Sequence, residues 1–331
     1  MTGMLLSKGI VAGYARQLDE IVKRVKLKPD ILHLPDDPQA RLAQADCDRI
    51  EVTMLSRDIR FSDHFKSFTD MLLAARNLKW AHFHSTAIEQ HAFVNPLLAR
   101  GVTLTTSAGT NSEPVAQTAI AGMLMLARRF PQWLDAQRRH AWEPMRGGNV
   151  PADLRGQTIM VVGLGHIGMP VARFCRALGM HVIGIRRTPK GADDPVDEVH
   201  PLAKFTELLP RCQWVVLACP YTNETHHLIN AATLAKLPPG AALLNVARGG
   251  VVDEPALIAA LGSGQLGCAY LDVFETEPLP AQSPLWDLPN VILTPHAASA
   301  SSGNDRRSVE LFLLLLEKWA RGAPLQNVHR A

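Results

Sequence analysis

Thr158-Ile159-Met160-Val161-Val162-Gly163-Leu164-Gly165-His166-Ile167-Gly168 is an apolar run that breaks into a G-x-G-x-x-G turn. A helix-like pattern over 171–178 follows. After Gly179 a second apolar run, 181–185, ends in Arg186-Arg187. Strand, glycine turn, helix and strand in this order make a βαβ unit with a dinucleotide fingerprint. Each glycine has its own task. Gly163 permits the tight turn, Gly165 lets the backbone approach a pyrophosphate, and Gly168 lets the helix pack on the strand. The helix N-terminus, with His166 and Ile167 before it, then offers free N–H groups to phosphate oxygens.

The alternation continues downstream. Short apolar runs at 196–199, 214–219, 242–246, 267–271 and 291–293 read as strands, separated by helical patterns at 205–209, 231–237 and 254–261. With the opening unit they make six or so parallel strands, a doubly wound sheet of Rossmann type. Upstream, runs at 31–34, 50–55, 80–84 and 102–106 alternate with helical stretches at 38–43, 62–76 and 89–100, with Ser62 as an N-cap. They form a smaller α/β domain, while residues 1–26 read as helix-prone. The 112–129 stretch is apolar around most of its circumference, as expected of a buried or interface helix. The polar stretch 131–150 reads as an irregular arm or linker, and 304–321 as a closing helix that folds back onto the first domain. Domain boundaries are expected at 112–296 for the dinucleotide-binding domain, with 1–111 and 297–331 together forming a discontinuous second domain.

Composition bounds the partners. At 331 residues and 47% hydrophobic content the chain can fill two cores, and a net charge of +3 points to neither nucleic acid nor a membrane surface. The basic pairs Arg128-Arg129 and Arg138-Arg139 read as solvated or interface faces. Five cysteines without a C-x-x-C pair exclude a zinc or disulfide framework and fit a reducing cytoplasm. No signal peptide or membrane span is expected. No metal site is needed: His82 and His84 share a strand face and read as pocket lining or surface.

Ligands of open α/β sheets bind beyond the carboxyl ends of strands. Three residues just past strand ends could serve carbonyl chemistry: Arg248 as a cation for a carboxylate, His296 as a proton donor, and Glu277 as a carboxylate to orient it. The residues around them resemble the D-isomer-specific 2-hydroxyacid dehydrogenases. The resemblance rests on Leu243-Leu244-Asn245-Val246-Ala247-Arg248-Gly249-Gly250-Val251-Val252-Asp253-Glu254, on Leu271-Asp272-Val273-Phe274-Glu275-Thr276-Glu277-Pro278-Leu279 and on Thr294-Pro295-His296-Ala297-Ala298. The glycine turn and Pro220-Tyr221-Thr222-Asn223-Glu224-Thr225 fit as well. The match is strong from about 111 to 298 and weaker before.

The resemblance implies a Rossmann-type domain beside a flavodoxin-like α/β domain. It also implies hydride transfer between NAD(P)H and a small 2-oxo or 2-hydroxy acid, as in glyoxylate/hydroxypyruvate reductases. Arg248 would clamp the carboxylate, and His296 would act as acid and base, paired with Glu277. The cofactor would meet Gly163, Gly165, His166, Ile167, Gly168, Cys219, Pro220, Thr225, Val246, Ala247, Arg248, Asp272, His296 and Ala298. The substrate carboxylate would also meet the early loop of Ser85, Thr86 and Ala87. The family usually forms homodimers through the cofactor domain, which fits the 112–129 helix.

Two departures stand out. Ala87 and Glu89 replace the family's usual Gly and Asp, and Arg186-Arg187 stand where an acid would bind the NAD ribose. Loss of that acid, with Arg186 and Arg187 available for a 2′-phosphate, favours NADP, with NAD as the alternative. Other readings of the same fold are a nucleotide-sensing, corepressor-like binding protein and a formate- or phosphite-type dehydrogenase. The Arg248–Glu277–His296 set argues for the 2-hydroxyacid chemistry.

Overall fold

Parallel strands need a crossover of a dozen or more residues, so alternating strands and helices stack into sheets covered on both faces. The computed structural model describes all residues except Ala87, Glu89, Gln90, Gly148, Asn149, Arg330 and Ala331. Ala87 of the expected substrate loop, and the start of the helix expected over 89–100, lie outside the described residues. The chain divides into two units, Met1–Thr110 with Ser301–Ala331, and Asn111–Ala300.

The first unit holds β1 (Thr2–Leu5), β2 (Pro29–Leu32), β3 (Ile50–Leu55), β4 (Trp80–Phe83) and β5 (Thr103–Thr106), all parallel, in the order β2-β1-β3-β4-β5. This is the flavodoxin-like order. Side chains alternate between faces. Met4, Val52 and Met54 therefore join one core with Phe312 and Leu316 of helix Asn304–Ala320, while Leu5 and Leu55 join the other with Phe68 and Leu72. The Trp80 and Phe312 rings stack at 5.3 Å.

Three expectations fail here. Residues 2–5 are a strand and not a helix. This strand is central and buried on both faces, so Met4-Leu5-Leu6 shows no alternation to mark it. Gly3 is required there, since a Cβ would lie 1.7 Å from the Arg49 carbonyl oxygen. The 38–43 stretch is not helical. The helix begins only at Gln44 and ends at Cys47, because Pro38 and the Asp37 side chain (accepting from Gln39 N at 2.9 Å) favour a turn. The supposed arm over 131–150 opens with a helix, Phe130–Arg138, whose first turn carries Pro131 where no amide donor is needed.

The second unit holds β6 (Thr158–Val162), β7 (His181–Ile185), β8 (Glu198–His200), β9 (Trp214–Leu217), β10 (Ala241–Asn245), β11 (Leu266–Leu271) and β12 (Val291–Leu293). They pair in parallel in the order β12-β11-β10-β9-β6-β7-β8. The chain runs outward from β6 to one edge and then from β9 to the other, so the order reverses between β6 and β9. Both faces are packed: Ile159 and Val161 face the core that contains Ala119 and Met123 of helix Ser112–Ala127, and Met160 and Val162 face the one that contains Phe205 and Leu257. Gly122 in helix Ser112–Ala127 lies against the Tyr270 ring, which a Cβ would approach to 2.5 Å.

His82 occupies neither a pocket nor the surface. It is fully buried in β4, with Nδ1 2.8 Å from Thr105 Oγ1 and Nε2 3.0 Å from Ser107 Oγ. Burial lowers its pKa from 6.5 to about 3, so the folded chain holds the ring neutral. The unfolded chain takes up that proton once pH drops below about 6.5, and stability falls with pH across that window. Urea unfolding at pH 7 and pH 5 is expected to show a loss on the order of 2 kcal/mol from this group. His82→Gln should flatten the slope; equal slopes in both proteins would remove His82 as its cause.

Candidate active site

The reversal of strand order between β6 and β9 opens a crevice at their carboxyl ends, where open α/β sheets take their ligands. The glycine turn leaves β6 at this point. Gly163 has φ +93°, and a Cβ on it would come within 2.7 Å of Ala218 O and Cys219 Cα in the loop after β9. A Cβ on Gly168 would lie 1.9 Å from the Gly163 carbonyl oxygen, so helix Gly168–Ala177 can start only with glycine. Around Gly165, by contrast, a Cβ would meet nothing within 4 Å. The amides of Gly165, His166 and Ile167 find no acceptor among the described residues. Open space beside three orphan N–H groups at a helix N-terminus fits a pyrophosphate.

The neighbouring loop is self-bonded. The Thr225 hydroxyl accepts from Thr222 N at 2.8 Å and donates to Pro220 O at 2.8 Å. Cys219 is buried, and burial pushes its thiol up to about 11, so it serves as a small apolar wall beside Gly163.

The ends of β10, β11 and β12 carry the polar residues. Past β10, buried Asn245 shapes the turn: its Oδ1 accepts from Ala247 N at 3.0 Å and its Nδ2 donates to Arg248 O at 3.1 Å. Val246 and Ala247 are buried behind this turn, and Arg248 projects outward. Gly249 follows because a Cβ there would lie 1.9 Å from the Phe274 carbonyl. The segment bearing Arg248 thus packs backbone to backbone on the loop bearing Glu277. Glu277 Oε1 accepts from Phe274 N at 3.0 Å, and Oε2 lies 2.6 Å from His296 Nδ1. A carboxylate partner makes Nδ1 the donor, which leaves Nε2 free to face a ligand.

His296 has φ +50°, a left-handed backbone that costs a non-glycine residue energy and is held only by its surroundings. Asp272 supplies them. Its carbonyl accepts from His296 N at 2.8 Å. Its buried carboxylate Oδ1 accepts from Ala297 N at 2.8 Å, Ala298 N at 2.9 Å and Thr294 Oγ1 at 2.5 Å. Tyr270 hydroxyl stands 2.7 Å behind Thr294 Oγ1 and extends the chain of hydroxyls. Ala298 is itself buried, and its carbonyl accepts from Thr118 Oγ1 at 3.1 Å.

The other expected residues lie on other elements. Arg186 turns back onto its own loop and pairs with Asp194, while Arg187 is exposed. Ser85 and Thr86 follow β4 in the first unit. Sequence reasoning passed over Asn245 and Asp194. Asn245 was the one amide in a buried apolar strand, which is a signal for a structural hydrogen-bonding task. An acid eight residues beyond Arg186 in a Gly-Ala-Asp-Asp-Pro loop carried none.

A glycine turn at the switch point of a doubly wound sheet, with Arg248, Asp272 and His296 on successive strand ends, defines a dinucleotide-binding α/β protein. Residues 120–298 match the family described as D-isomer specific 2-hydroxyacid dehydrogenase, NAD binding domain. The chain belongs to that family. D-3-phosphoglycerate dehydrogenase of Archaeoglobus fulgidus is 33% identical over 260 residues, which are 78% of this chain and 48% of that protein. Glyoxylate/hydroxypyruvate reductase B of Pectobacterium atrosepticum is 38% identical over 63% of this chain and 65% of its own length. The chain thus spans about half of the first relative and less than two thirds of the second. The crystal structure of a D-isomer specific 2-hydroxyacid dehydrogenase from Xanthobacter autotrophicus Py2, in complex with NADPH and MES, is 30% identical with a TM-score of 0.73, over 100% of this chain and 98% of that one.

Asp272→Ala removes three hydrogen bonds to one buried charge and leaves two amides without an acceptor. A stability loss on the order of 3 kcal/mol is expected in denaturant titration. Asp272→Asn, which keeps one acceptor oxygen, should recover part of it. A midpoint unchanged in Asp272→Ala would show that the carboxylate does not hold the His296 turn.

Proposed function

We propose that this chain is an oxidoreductase that transfers a hydride between NAD(P)H and a small 2-oxo acid or D-2-hydroxy acid. The observation that carries the reading is the 2.6 Å His296–Glu277 pair on the strand edge that also bears Arg248. The bound nicotinamide supplies the hydride. Gly163, Gly165, His166, Ile167 and Gly168 hold the pyrophosphate at the helix N-terminus, and Cys219, Pro220, Thr225, Val246, Ala247, Asp272 and Ala298 wall the rest of the cofactor site.

Arg248 presents a planar fork to the substrate carboxylate, which orients the acid and draws electron density from the adjacent carbonyl. His296 Nε2 gives a proton to the carbonyl oxygen in reduction and takes it back in oxidation. Glu277 fixes the ring through Nδ1 and offsets the positive charge when both nitrogens are protonated. Ser85 and Thr86, at the carboxyl end of β4, are proposed as further substrate-binding residues. The first unit is accordingly proposed as the substrate-binding domain and 112–296 as the dinucleotide-binding domain.

NADP is favoured over NAD: no acid follows β7 directly in sequence, and the exposed Arg187 has no ion-pair partner among the described residues. All five cysteines are free thiols, which fits a cytoplasmic setting. A homodimer is proposed through the second unit. Phe130, Trp133 and Leu134 are exposed there, and a groove of about 790 Å³ is lined by Trp133, Leu134, Met145, Leu288 and Ile292. Exposed apolar surface of this kind marks an interaction face.

Oxidation of NADPH and NADH is to be assayed with a panel of 2-oxo acids, glyoxylate and hydroxypyruvate among them. Turnover of none of them would sink the reading. His296→Gln should lower kcat by about 10²–10⁴-fold, and Arg248→Lys, which keeps charge but loses the fork, should raise KM about tenfold or more. Light scattering should give twice the chain mass, and Trp133→Asp should shift it toward the monomer; a monomeric parent protein would rule out the dimer.

A further inference from the structure

Arg186 and Arg187 leave β7 side by side in opposite states. A guanidinium carries five N–H donors. In Arg186, Nε donates to Thr188 O at 2.9 Å, Nη2 to Pro189 O and Asp194 Oδ2, and Nη1 to Asp194 Oδ1 at 3.2 Å. Four of the five donors are thereby in use. The two side chains are only 19% and 10% exposed. Asp194 Oδ2 also accepts from Gly191 N at 2.6 Å, so the loop of residues 188–194 is folded around the pair. The guanidinium holds the Asp194 carboxyl below its ordinary range. Arg187 has no hydrogen bond or ion pair among the described residues. The exposed Lys190 donates to Asp197 O at 3.1 Å.

A carboxylate and a phosphate fill an arginine fork with the same geometry. We infer that Asp194 is a built-in competitor for the adenosine 2′-phosphate of the cofactor, occupying the Arg186 fork that the phosphate would otherwise take. This inference rests on the dinucleotide reading given above. It assigns different work to the two arginines. Arg187 is the resting cation for the phosphate. Arg186 reaches the phosphate only when Asp194 lets go, and the loop of residues 188–194 opens with it. A cofactor without the phosphate leaves the Arg186–Asp194 pair intact. The competition therefore narrows the gap in affinity between NADP and NAD that two free arginines would create. Asp194 sets how strongly the chain discriminates between them.

The test is calorimetric binding of 2′,5′-ADP and 5′-AMP to the full chain at fixed salt, which needs no turnover. Asp194→Asn keeps an acceptor for Gly191 N and Arg186 but removes the charge. It should tighten 2′,5′-ADP about tenfold and leave 5′-AMP within about twofold. Adding Arg186→Gln to that variant should return 2′,5′-ADP to the parent value, since the gain passes through Arg186. Unchanged 2′,5′-ADP affinity in Asp194→Asn, or equal weakening of both nucleotides, would overturn the inference and leave Asp194 as a loop brace. Retention of the gain in the double variant would overturn it as well. If the parent protein bound neither nucleotide, the dinucleotide reading would fail and the inference with it, an outcome distinct from a parent that binds both while the variant changes nothing.

Discussion

One buried carboxylate, Asp272, ties together one edge of the second sheet. It sits at the end of β11 and reaches across to the turn after β12, where its Oδ1 receives two amides and a threonine hydroxyl. Three donors on one oxygen offset the cost of burying the carboxylate. The return is geometric. His296 stays in a left-handed backbone conformation, and that conformation aims Nδ1 at Glu277. The Asp272 carboxylate thereby braces the turn that brings His296 to Glu277.

The same edge is drawn together a second time through backbone contact. Gly249 lets the segment after β10 lie directly on the carbonyl of Phe274, and Phe274 N in turn binds Glu277. Arg248, Glu277 and His296 thus come from three connections that are bonded or packed on one another. Parallel pairing makes this assembly available, because it sends the carboxyl ends of β10, β11 and β12 to the same side of the sheet. An antiparallel sheet would have divided them between two edges.

The cofactor end follows a different economy. There the fold works by leaving things out: no side chain on Gly165, no acceptor among the described residues for three amides, no acid in sequence at the end of β7. A site built from backbone N–H groups recognises phosphate in general. Side chains, by contrast, fill the loop after β7, where Arg186 pairs with Asp194 and Arg187 is exposed.

The sequence by itself determined the class of fold and the family. Alternating apolar runs and helical patterns imply parallel sheets, the glycine turn marks the crevice, and Arg248, Glu277 and His296 announce themselves by lying just past strands in long motifs. Such features are legible because they depend on local periodicity and on residue types that few other settings require. What escaped was decided by distant partners. Strand β1 looked helical because its apolar residues face two cores at once, and only the neighbouring strands make it a strand. Helix Phe130–Arg138 hid behind a polar surface. His82 looked like pocket lining until Thr105 and Ser107 closed over it. Asp194 carried no signal of its own: its meaning comes from a guanidinium eight residues away that a folded loop brings into contact. Periodicity reads along the chain, whereas a hydrogen bond to a buried or folded-over partner exists only once the chain has returned on itself.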